Sequence, residues 1–308
     1  MTVLATHAWL GHVISSDQFD RERLDEIFAR ARDLDGRRDT RLAGKIMATL
    51  FYEPSTRTRI SFESAMLRLG GSVVGTEAAR QFSSVYKGET LEDTIRMVSG
   101  YADVIVLRHD QAGAAARAAN VASVPVVNAG DGPGEHPTQA LLDLYTIGSE
   151  LGSIEGVHIA FCGDLRFGRT VRSLAMLLRL YPGVRMSFVA PEVVQIGADI
   201  QTRMAAAGVP IVLTERLDDV IDSVDVVYQT RIQKERFTTP ADFEAARRAI
   251  RIDARVMAAL PAKAVVMHPL PRVDEISTEV DADPRAAYFR QARNGVAVRM
   301  ALLDLLLG

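Results

Sequence analysis

Short apolar runs alternate with amphipathic segments along most of this chain, and that alternation restricts its fold more than any other feature. Runs such as 45–51 (KIMATLF), 104–107 (VIVL) and 157–162 (VHIAFC) have the length and apolar character of buried strands. Segments with helical spacing follow, among them 55–69 and 170–180. Further elements predicted in this way are a helix at 17–34, a strand at 124–127 and a short helix at 217–223. Strands that alternate with helices predict parallel sheets covered by helices, so we expect an α/β protein.

The length of 308 residues favours two domains. A Gly-rich stretch at 129–135 (AGDGPGE) leads into a long helical pattern, and a second series of strands and helices begins near residue 150. We expect one domain at 1–149 that also takes in the last helix, 290–308, and another at 150–289. Each should be a parallel sheet flanked by helices, with long helices joining the two.

The charge balance offers no electrostatic basis for a nucleic-acid or membrane partner, since 36 Lys and Arg face 39 Asp and Glu. Basic residues that bind an anion must therefore be concentrated locally.

The single cysteine, Cys162, excludes an intrachain disulfide. The first residues lack a basic stretch followed by an apolar one, and no run of about 18 apolar residues occurs. We expect a soluble, cytoplasmic protein.

Residues 53–59 (EPSTRTR) combine hydroxyl and guanidinium groups where a strand pattern gives way to a helix pattern. Ser55, Thr56 and Thr58 offer hydroxyls, and the helix start adds N–H groups and partial positive charge. Such a segment can bind a phosphate. The alternative is an ordinary helix cap with solvated arginines.

Two further candidates lie at the ends of apolar runs in the first half of the chain. Arg108 and His109 follow VIVL, and ligands of open α/β sheets bind beyond the carboxyl ends of strands. His136, at a Gly-rich junction before a helix, could donate a hydrogen bond to a carbonyl oxygen. It could equally be a capping residue without a chemical role.

Residues 163–170 (GDLRFGRT) fit the outline of a nucleotide P-loop, with Arg169 in the position of the lysine. Arginine is not equivalent to that compact point charge. A forked guanidinium suits a carboxylate better.

Three polar segments have surface loops as their alternative interpretation, namely 83–90 (SSVYKGET), 229–236 (QTRIQKER) and 268–275 (HPLPRVDE). The last two follow apolar strand patterns. The prolines on both sides of Leu270 stiffen the third segment, which could aim its carbonyls at a substrate.

Metal and covalent chemistry are not indicated. The six histidines lack paired ligand spacing, and Cys162 ends a predicted buried strand, where an inert thiol is expected. We expect neither a metal nor a cofactor.

Taken in order, the segments resemble one family, the aspartate carbamoyltransferase catalytic chains of the aspartate/ornithine carbamoyltransferase superfamily. The resemblance covers nearly the whole chain. It is carried by residues 51–59 (FYEPSTRTR), 83–90, 106–109 (VLRH), 136–139 (HPTQ), 163–170, 230–236 (TRIQKER) and 268–275. It implies two α/β domains, a homotrimer, and transfer of a carbamoyl group from carbamoyl phosphate to the amine of L-aspartate. Whether regulatory or other pathway chains join the trimer stays open.

The resemblance also implies residue roles. The carbamoyl phosphate residues would be Ser55, Thr56, Arg57, Thr58, Arg108, His136, Gln139, Leu270 and Pro271, with Ser83 and Lys87 entering from a neighbouring subunit. The aspartate residues would be Lys87, Arg169, Arg231, Gln233 and Leu270, with Glu53 and Arg236 steadying the arginines. Those nearest the chemistry would be Arg57, Thr58, Lys87, Arg108 and His136.

Two positions depart from the pattern of this family. Tyr86 stands before Lys87, where some relatives carry a second lysine, and Glu135 precedes His136, where glutamine is frequent. An acidic neighbour leaves the protonation state of His136 open. The alternatives to an aspartate enzyme are a carbamoyltransferase for ornithine or another amino acid, a catalytically silent structural paralogue and a nucleotide-binding protein. Against the ornithine reading, HPTQ has threonine where ornithine enzymes usually have cysteine, and Arg169 and Arg231 would repel a cationic substrate.

Overall fold

The computed structural model describes residues 10–77, 88–232, 239, 243 and 250–308. The chain divides into two compact units, Met1–Leu142 with Arg293–Gly308 (unit 1) and Asp143–Ala292 (unit 2). The domain limits expected from the sequence, at 149/150 and 289/290, differ from this division by a few residues and stay a prediction.

Unit 1 contains a four-stranded parallel sheet in the order β2-β1-β3-β4 within the part that the structure describes. Its strands are β1 (Ile46–Phe51), β2 (Ser72–Glu77), β3 (Val104–His109) and β4 (Val126–Asp131). Its helices are α1 (Arg21–Leu34), α2 (Thr56–Arg68), α3 (Leu91–Ser99) and α4 (Ala114–Val121), preceded by a 3-10 turn at Ser16–Gln18.

The core of unit 1 follows from strand alternation. Successive side chains of β1 and β3 point to opposite faces of the sheet. Ala48, Leu50 and Ile105 lie in one buried cluster with Leu91 and Ile95 of α3. The apolar residues at the intervening positions of β1 and β3 are buried as well. Both faces are therefore covered, which is why the central strands are almost wholly apolar.

Unit 2 contains a five-stranded parallel sheet in the order β7-β6-β5-β8-β9, again among the described residues. The strands are β5 (His158–Cys162), β6 (Arg185–Val189), β7 (Ile211–Thr214), β8 (Val226–Gln229) and β9 (Val265–Met267). The helices are α6 (Arg169–Leu178), α7 (Ala198–Ala206) and α8 (Ala254–Ala259), with 3-10 turns at Glu192–Val194, Leu217–Asp219 and Thr278–Ala282.

Aromatic residues fill one face of the unit 2 sheet. Phe161 stacks on Phe188 with ring centroids 5.4 Å apart and meets Tyr228 edge-on at 5.7 Å. Ala160 and Cys162 point to the other face, where they join a buried aliphatic cluster.

Two helices carry the chain from one unit to the other, α5 (Pro137–Leu151) and α9 (Tyr288–Leu307). Pro137 is the first residue of α5, a position that suits proline because its missing N–H would have no partner inside the helix. The expected fold class, two α/β domains joined by long helices, is confirmed.

Some predicted elements have different limits. The helix predicted at 17–34 begins only at Arg21, because the Asp20 side chain accepts the N–H of Arg23 and caps it. The strand predicted at 124–127 is shifted to Val126–Asp131. The short helix predicted at 217–223 is only a 3-10 turn at Leu217–Asp219.

Candidate active site

In both sheets the strand order reverses at one place, and candidate residues follow the two strands that meet there. In unit 1 the reversal lies between β1 and β3, where residues 53–59 follow β1 and Arg108 is the penultimate residue of β3. In unit 2 it lies between β5 and β8, which lead to Arg169 and Arg231. A crevice beyond the strand ends at such a switch point is the usual ligand site of open α/β sheets. Each unit thus has its own candidate half-site.

The start of α2 has the features of an anion site. Ser55 is the N-cap residue, with extended backbone, and its side chain makes no capping hydrogen bond to the helix. Thr58 is buried, and its carbonyl accepts the hydroxyl of Ser61 at 3.0 Å. The helix thus begins with a serine hydroxyl that is not used for capping, together with the N–H groups of its first turn.

Arg57 lies in this first turn with an exposed side chain, and Thr56 is exposed beside it. Neighbouring protein atoms partly desolvate the guanidinium and lower the pKa of Arg57 below its ordinary 12.5. They surround the group without covering it, so it stays accessible. A cation that has lost part of its hydration interacts more strongly with an anion than one in bulk water.

Arg108 is held at the end of β3 by two contacts. Its Nη2 lies 3.3 Å from Glu53 Oε2, and its Nη1 donates to the carbonyl of Ala129 at 3.3 Å. Its side chain is only 14% exposed, so these contacts act in a partly desolvated setting. The sequence did not indicate Arg108 as the partner of Glu53.

His136 follows a loop that is tightly folded around Asp131. The Asp131 carboxylate accepts the N–H of Gly113 at 2.9 Å and that of Glu135 at 2.7 Å. Gly132 has φ +55, and a Cβ there would lie 2.2 Å from the carbonyl oxygen of Asp110. The imidazole of His136 is buried, and the half-buried Gln139 lies one turn further along the chain.

Glu135, the acidic neighbour of His136, is engaged with the amino-terminal segment. Its Oε1 accepts the hydroxyl of Ser15 at 2.6 Å, and its Oε2 accepts the N–H of Ser16 at 2.7 Å. Glu135 therefore anchors the loop that carries His136 to the amino-terminal segment.

In unit 2 the loop after β5 approaches the end of β8 closely. Gly163 has φ +106, and a Cβ there would lie 2.3 Å from the carbonyl oxygen of Thr230. The N–H of Thr230 donates to the carbonyl of Cys162 at 2.8 Å. Arg169 begins α6 and Arg231 follows Thr230, and both side chains are half-buried. Two arginines thus follow neighbouring strands.

The P-loop interpretation of residues 163–170 does not fit their hydrogen bonds. The N–H groups of Leu165 and Arg166 donate to the carbonyl of Val194, and that of Phe167 donates to the Asp164 carboxylate at 3.0 Å. A phosphate cradle needs such N–H groups for the ligand. A buried carboxylate at its centre would also repel phosphate.

Leu270 lies in a left-handed backbone conformation, with φ 54, and its peptide bond to Pro271 is cis. The left-handed region is unfavourable for leucine and persists only where the surroundings hold it. Its N–H donates to His268 Nδ1 at 2.7 Å, and His268 Nε2 lies 2.8 Å from Glu275 Oε1.

The sequence reasoning missed the buried acids and amides behind these segments, Asp131, Asp164, Asp143 and Gln291. Asp143 gives the clearest retrospective signal, because it interrupts the apolar run of a helix (ALLDLYTI). The candidates Ser83, Lys87, Gln233 and Arg236 lie outside the described residues.

In the described ranges no group of three or more His, Cys, Asp or Glu is placed to bind a metal ion. Burial raises the pKa of the Cys162 thiol far above its usual range. Within those ranges, too, no helix combines the length and apolarity needed to cross a membrane.

Two family models together match nearly all of the chain. Residues 11–149 match the aspartate/ornithine carbamoyltransferase carbamoyl-P binding domain, and residues 155–306 match the Asp/Orn binding domain of that family. The chain belongs to the aspartate/ornithine carbamoyltransferase family.

Curated relatives and solved structures make the likeness more specific. The chain is 56% identical to the chloroplastic aspartate carbamoyltransferase of Oryza sativa subsp. japonica, over 97% of this chain and 85% of that one. The catalytic subunit of M. jannaschii aspartate transcarbamoylase has a TM-score of 0.91 at 49% identity, over 96% of this chain and 98% of that one. The aspartate transcarbamoylase of Trypanosoma cruzi, in complex with carbamoyl phosphate and aspartate, has a TM-score of 0.91 at 47% identity, over 98% and 99% of the two chains.

Proposed function

We propose that this chain is an aspartate carbamoyltransferase. It transfers the carbamoyl group of carbamoyl phosphate to the amine of L-aspartate, giving N-carbamoyl-L-aspartate and phosphate, an early step of pyrimidine biosynthesis. The observation that carries this proposal is the combination of two half-sites. One is an anion-binding helix start with an accessible arginine in unit 1, and the other is a pair of arginines after neighbouring strands in unit 2.

In unit 1 the phosphate of carbamoyl phosphate binds the start of α2 through Ser55, Thr56, Arg57 and Thr58. The positive end of the helix and the Arg57 guanidinium match its charge. Arg108, His136 and Thr58 contact the carbamoyl oxygen, and Gln139 contacts the carbamoyl amino group. The Glu53 contact that holds Arg108 supports this assignment, because a fixed donor stabilises developing negative charge without reorganising.

In unit 2, Arg169 and Arg231 bind the two carboxylates of aspartate, together with Gln233. Leu270 contacts both substrates, Pro271 shapes its loop, and Arg236 steadies the arginines. Two forked cations suit a dicarboxylate and disfavour the cationic side chain of ornithine. The T. cruzi relative, solved in complex with carbamoyl phosphate and aspartate, supports the same substrate class.

The reaction is an attack of the aspartate amine on the carbamoyl carbon. The carbonyl oxygen becomes an oxyanion, the carbon–oxygen bond to phosphate breaks, and phosphate leaves. Donors placed at that oxygen lower the barrier, and holding both reactants in register supplies much of the remaining acceleration. The departing phosphate takes the amine proton, so no side-chain base is required. A solvent-isotope and pH study that demanded an enzyme base would contradict this step.

A product assay tests the function directly. The chain is incubated with carbamoyl phosphate and aspartate, and carbamoyl aspartate and phosphate are quantified by mass spectrometry and a colorimetric assay. We expect the two products in equal amounts. Phosphate release without carbamoyl aspartate would mean hydrolysis, and would overturn the proposal.

We also propose that the active form is a homotrimer in which Ser83 and Lys87 reach the carbamoyl phosphate site of a neighbouring subunit, with Lys87 also reaching aspartate. Exposed Ile60 and Leu67 support an interface, since they lie seven residues apart on one face of α2. Mixing inactive Arg57→Ala chains with inactive Lys87→Ala chains should restore part of the activity. No recovery in well-mixed trimers would refute shared sites.

We further propose a cytoplasmic location. The single cysteine, which is buried as a free thiol, suits a reducing compartment. The rice relative is a chloroplastic enzyme, so membership of the family does not by itself set the compartment. Fractionation of the source cells, with this chain detected by antibody, tests the location.

A further inference from the structure

A continuous chain of hydrogen bonds runs through the interior of unit 2, formed by polar side chains and the backbone N–H of His268, and none of the residues involved contacts substrate in the proposed reaction. We call it the His268 network. Its members are Thr170, Tyr228, Asp143, Gln291, His268 and Glu275. All except Thr170 are buried, and the most exposed of these, Glu275, is only 6% exposed.

Asp143 on α5 is the centre of one half of the network. Its Oδ2 accepts the hydroxyl of Tyr228 at 2.7 Å, and its Oδ1 accepts the side-chain amide of Gln291 at 2.6 Å. Tyr228 is also hydrogen-bonded to the side chain of Thr170, the residue after Arg169. The carboxylate thus joins β8 to α9, and Tyr228 extends the network to the first turn of α6.

His268 is the centre of the other half. Its backbone N–H donates to Gln291 Oε1 at 2.9 Å, and its ring Nδ1 accepts the backbone N–H of Leu270 at 2.7 Å. Because Nδ1 is an acceptor, the ring proton must be on Nε2, which lies 2.8 Å from Glu275 Oε1. One tautomer therefore satisfies every contact of this imidazole.

Glu275 closes the loop on which Leu270 lies. Its Oε2 accepts the N–H groups of Val273 and Asp274, each at 3.1 Å. Burial alone would raise the pKa of Glu275, but the hydrogen bond from His268 and those from the backbone outweigh it and lower the pKa. The carboxylate therefore stays charged at neutral pH and keeps its hold on both the imidazole and the loop.

These contacts explain how Leu270 keeps a backbone conformation that leucine rarely adopts. They also join that residue to the turn that carries Arg169. A buried polar chain of this length is unnecessary for core packing, since apolar residues of similar volume fill a core at least as well. Fully satisfied, it selects one arrangement.

We propose that the His268 network is a positioning device for the aspartate half-site, which fixes the Leu270 carbonyl and couples it to the start of α6. This inference rests on the proposed function, in which Leu270 and Arg169 contact substrate. His268, Asp143 and Gln291 act through these residues and touch no substrate themselves.

Two substitutions of His268 separate its two ring contacts. His268→Asn keeps an acceptor near the position of Nδ1 and so retains the contact with Leu270. His268→Gln keeps a donor near the position of Nε2 and so retains the contact with Glu275, but loses the acceptor for Leu270. If the network acts by holding Leu270, kcat/KM for aspartate should fall about 100-fold in His268→Gln and about tenfold in His268→Asn.

His158→Gln is the matched control. His158 lies in the same unit, is 5% exposed, and has both ring nitrogens in contact, Nδ1 with the carbonyl of Ser223 at 3.0 Å and Nε2 with the Ser187 hydroxyl at 2.8 Å. It is the first residue of β5, so it lies at the amino-terminal ends of the parallel strands, whereas the candidate site residues follow their carboxyl ends. Its replacement should lower the melting temperature yet leave kcat/KM per folded molecule unchanged.

The unmodified chain is assayed first. If it forms no carbamoyl aspartate, the proposed function fails and this inference fails with it. If it is active and His268→Gln equals His158→Gln in kcat/KM, only the inference fails. Should His268→Gln not fold, Tyr228→Phe removes one hydroxyl at the far end of the network. A severalfold higher KM for aspartate in Tyr228→Phe supports the coupling, and an unchanged KM overturns it.

Discussion

The two half-sites of this chain are built in different ways. In unit 1 the proposed phosphate residues are consecutive, and backbone geometry presents them, because they form the start of α2 in the connection that follows β1. In unit 2 the proposed aspartate residues are far apart in the sequence. Arg169 follows β5, Arg231 follows β8, and Leu270 follows β9 with its backbone held by His268.

The difference reflects what each ligand requires. Phosphate is compact and highly charged, so a helix start with hydroxyls and one accessible arginine can bind it with little support. A dicarboxylic amino acid must be held at two ends and oriented for attack by its amine. That demands cations at fixed separation and hence a rigid interior behind them. We therefore expect variants in unit 1 to act mainly through lost charge, and variants in unit 2 mainly through lost position.

The largest effect should come from Arg57→Ala, which removes the accessible cation at the start of α2. We expect kcat/KM for carbamoyl phosphate to fall about 1,000-fold, as for loss of a main electrostatic contact in the transition state. Steady-state kinetics at saturating aspartate measure it. Arg68→Ala is the control, because Arg68 is exposed in the last turn of the same helix. Equal activity of the two variants would refute the phosphate role of Arg57.

The next largest effect should come from Arg169→Ala in unit 2. Loss of a forked hydrogen-bonded contact with a carboxylate should raise the KM for aspartate about 100-fold, equivalent to about 3 kcal/mol. The KM for carbamoyl phosphate should change little. Arg166→Ala is the control, since Arg166 is exposed in the same loop and lies over the Phe167 ring. If only the KM for carbamoyl phosphate rose, Arg169 would belong to the carbamoyl phosphate site and the proposed assignment of the two half-sites would be wrong.

A smaller effect is expected at Glu135, which tests whether unit 1 also depends on positioning. Glu135→Ala should lower the free energy of unfolding by about 1–3 kcal/mol, because the N–H of Ser16 and the hydroxyl of Ser15 lose their partner. Activity should fall about tenfold through the displaced His136 loop. Glu135→Gln can make both contacts and should retain most of both. Denaturant titration measures the free energy of unfolding, and steady-state kinetics measure the activity. If Glu135→Ala changed neither quantity, Glu135 would not anchor the His136 loop.

The smallest effect concerns pH, and one histidine in each unit contributes to it. Burial lowers the pKa of His12 and of His158 below the ordinary 6.5. Below pH 6.5 the unfolded chain therefore binds more protons than the folded one, so stability is full above that pH and is lost as the pH falls. Melting temperatures at pH 7.5 and 5.5 should show this loss, and His158→Gln should reduce it. A higher melting temperature at pH 5.5 would contradict the burial of these groups as neutral species.

The features that could be predicted from the sequence are those formed by residues close together in the chain. The start of α2 was predictable because Ser55, Thr56 and Arg57 adjoin one another and their neighbours set the helix start. The start of α6 at Arg169 was predictable for the same local reason. Helix α4 was not predicted, because Ala114–Val121 is too rich in alanine to show an apolar stripe.

The support behind the sites could not be predicted, because it consists of contacts between distant residues. Gln291 is 148 residues from Asp143, and Glu135 is 120 residues from Ser15. Periodicity and propensity describe neighbours along the chain, so they contain no information on such pairs. The predicted roles of Ser83, Lys87, Gln233 and Arg236 stay predictions for variants to test.

Substrate competition tests the central claim most directly. The chain receives carbamoyl phosphate with aspartate and ornithine at equal concentration in one reaction, and both carbamoylated products are quantified by mass spectrometry. We expect carbamoyl aspartate and no citrulline above the level of an enzyme-free control. Citrulline without carbamoyl aspartate would contradict the assignment of Arg169 and Arg231 to a dicarboxylate.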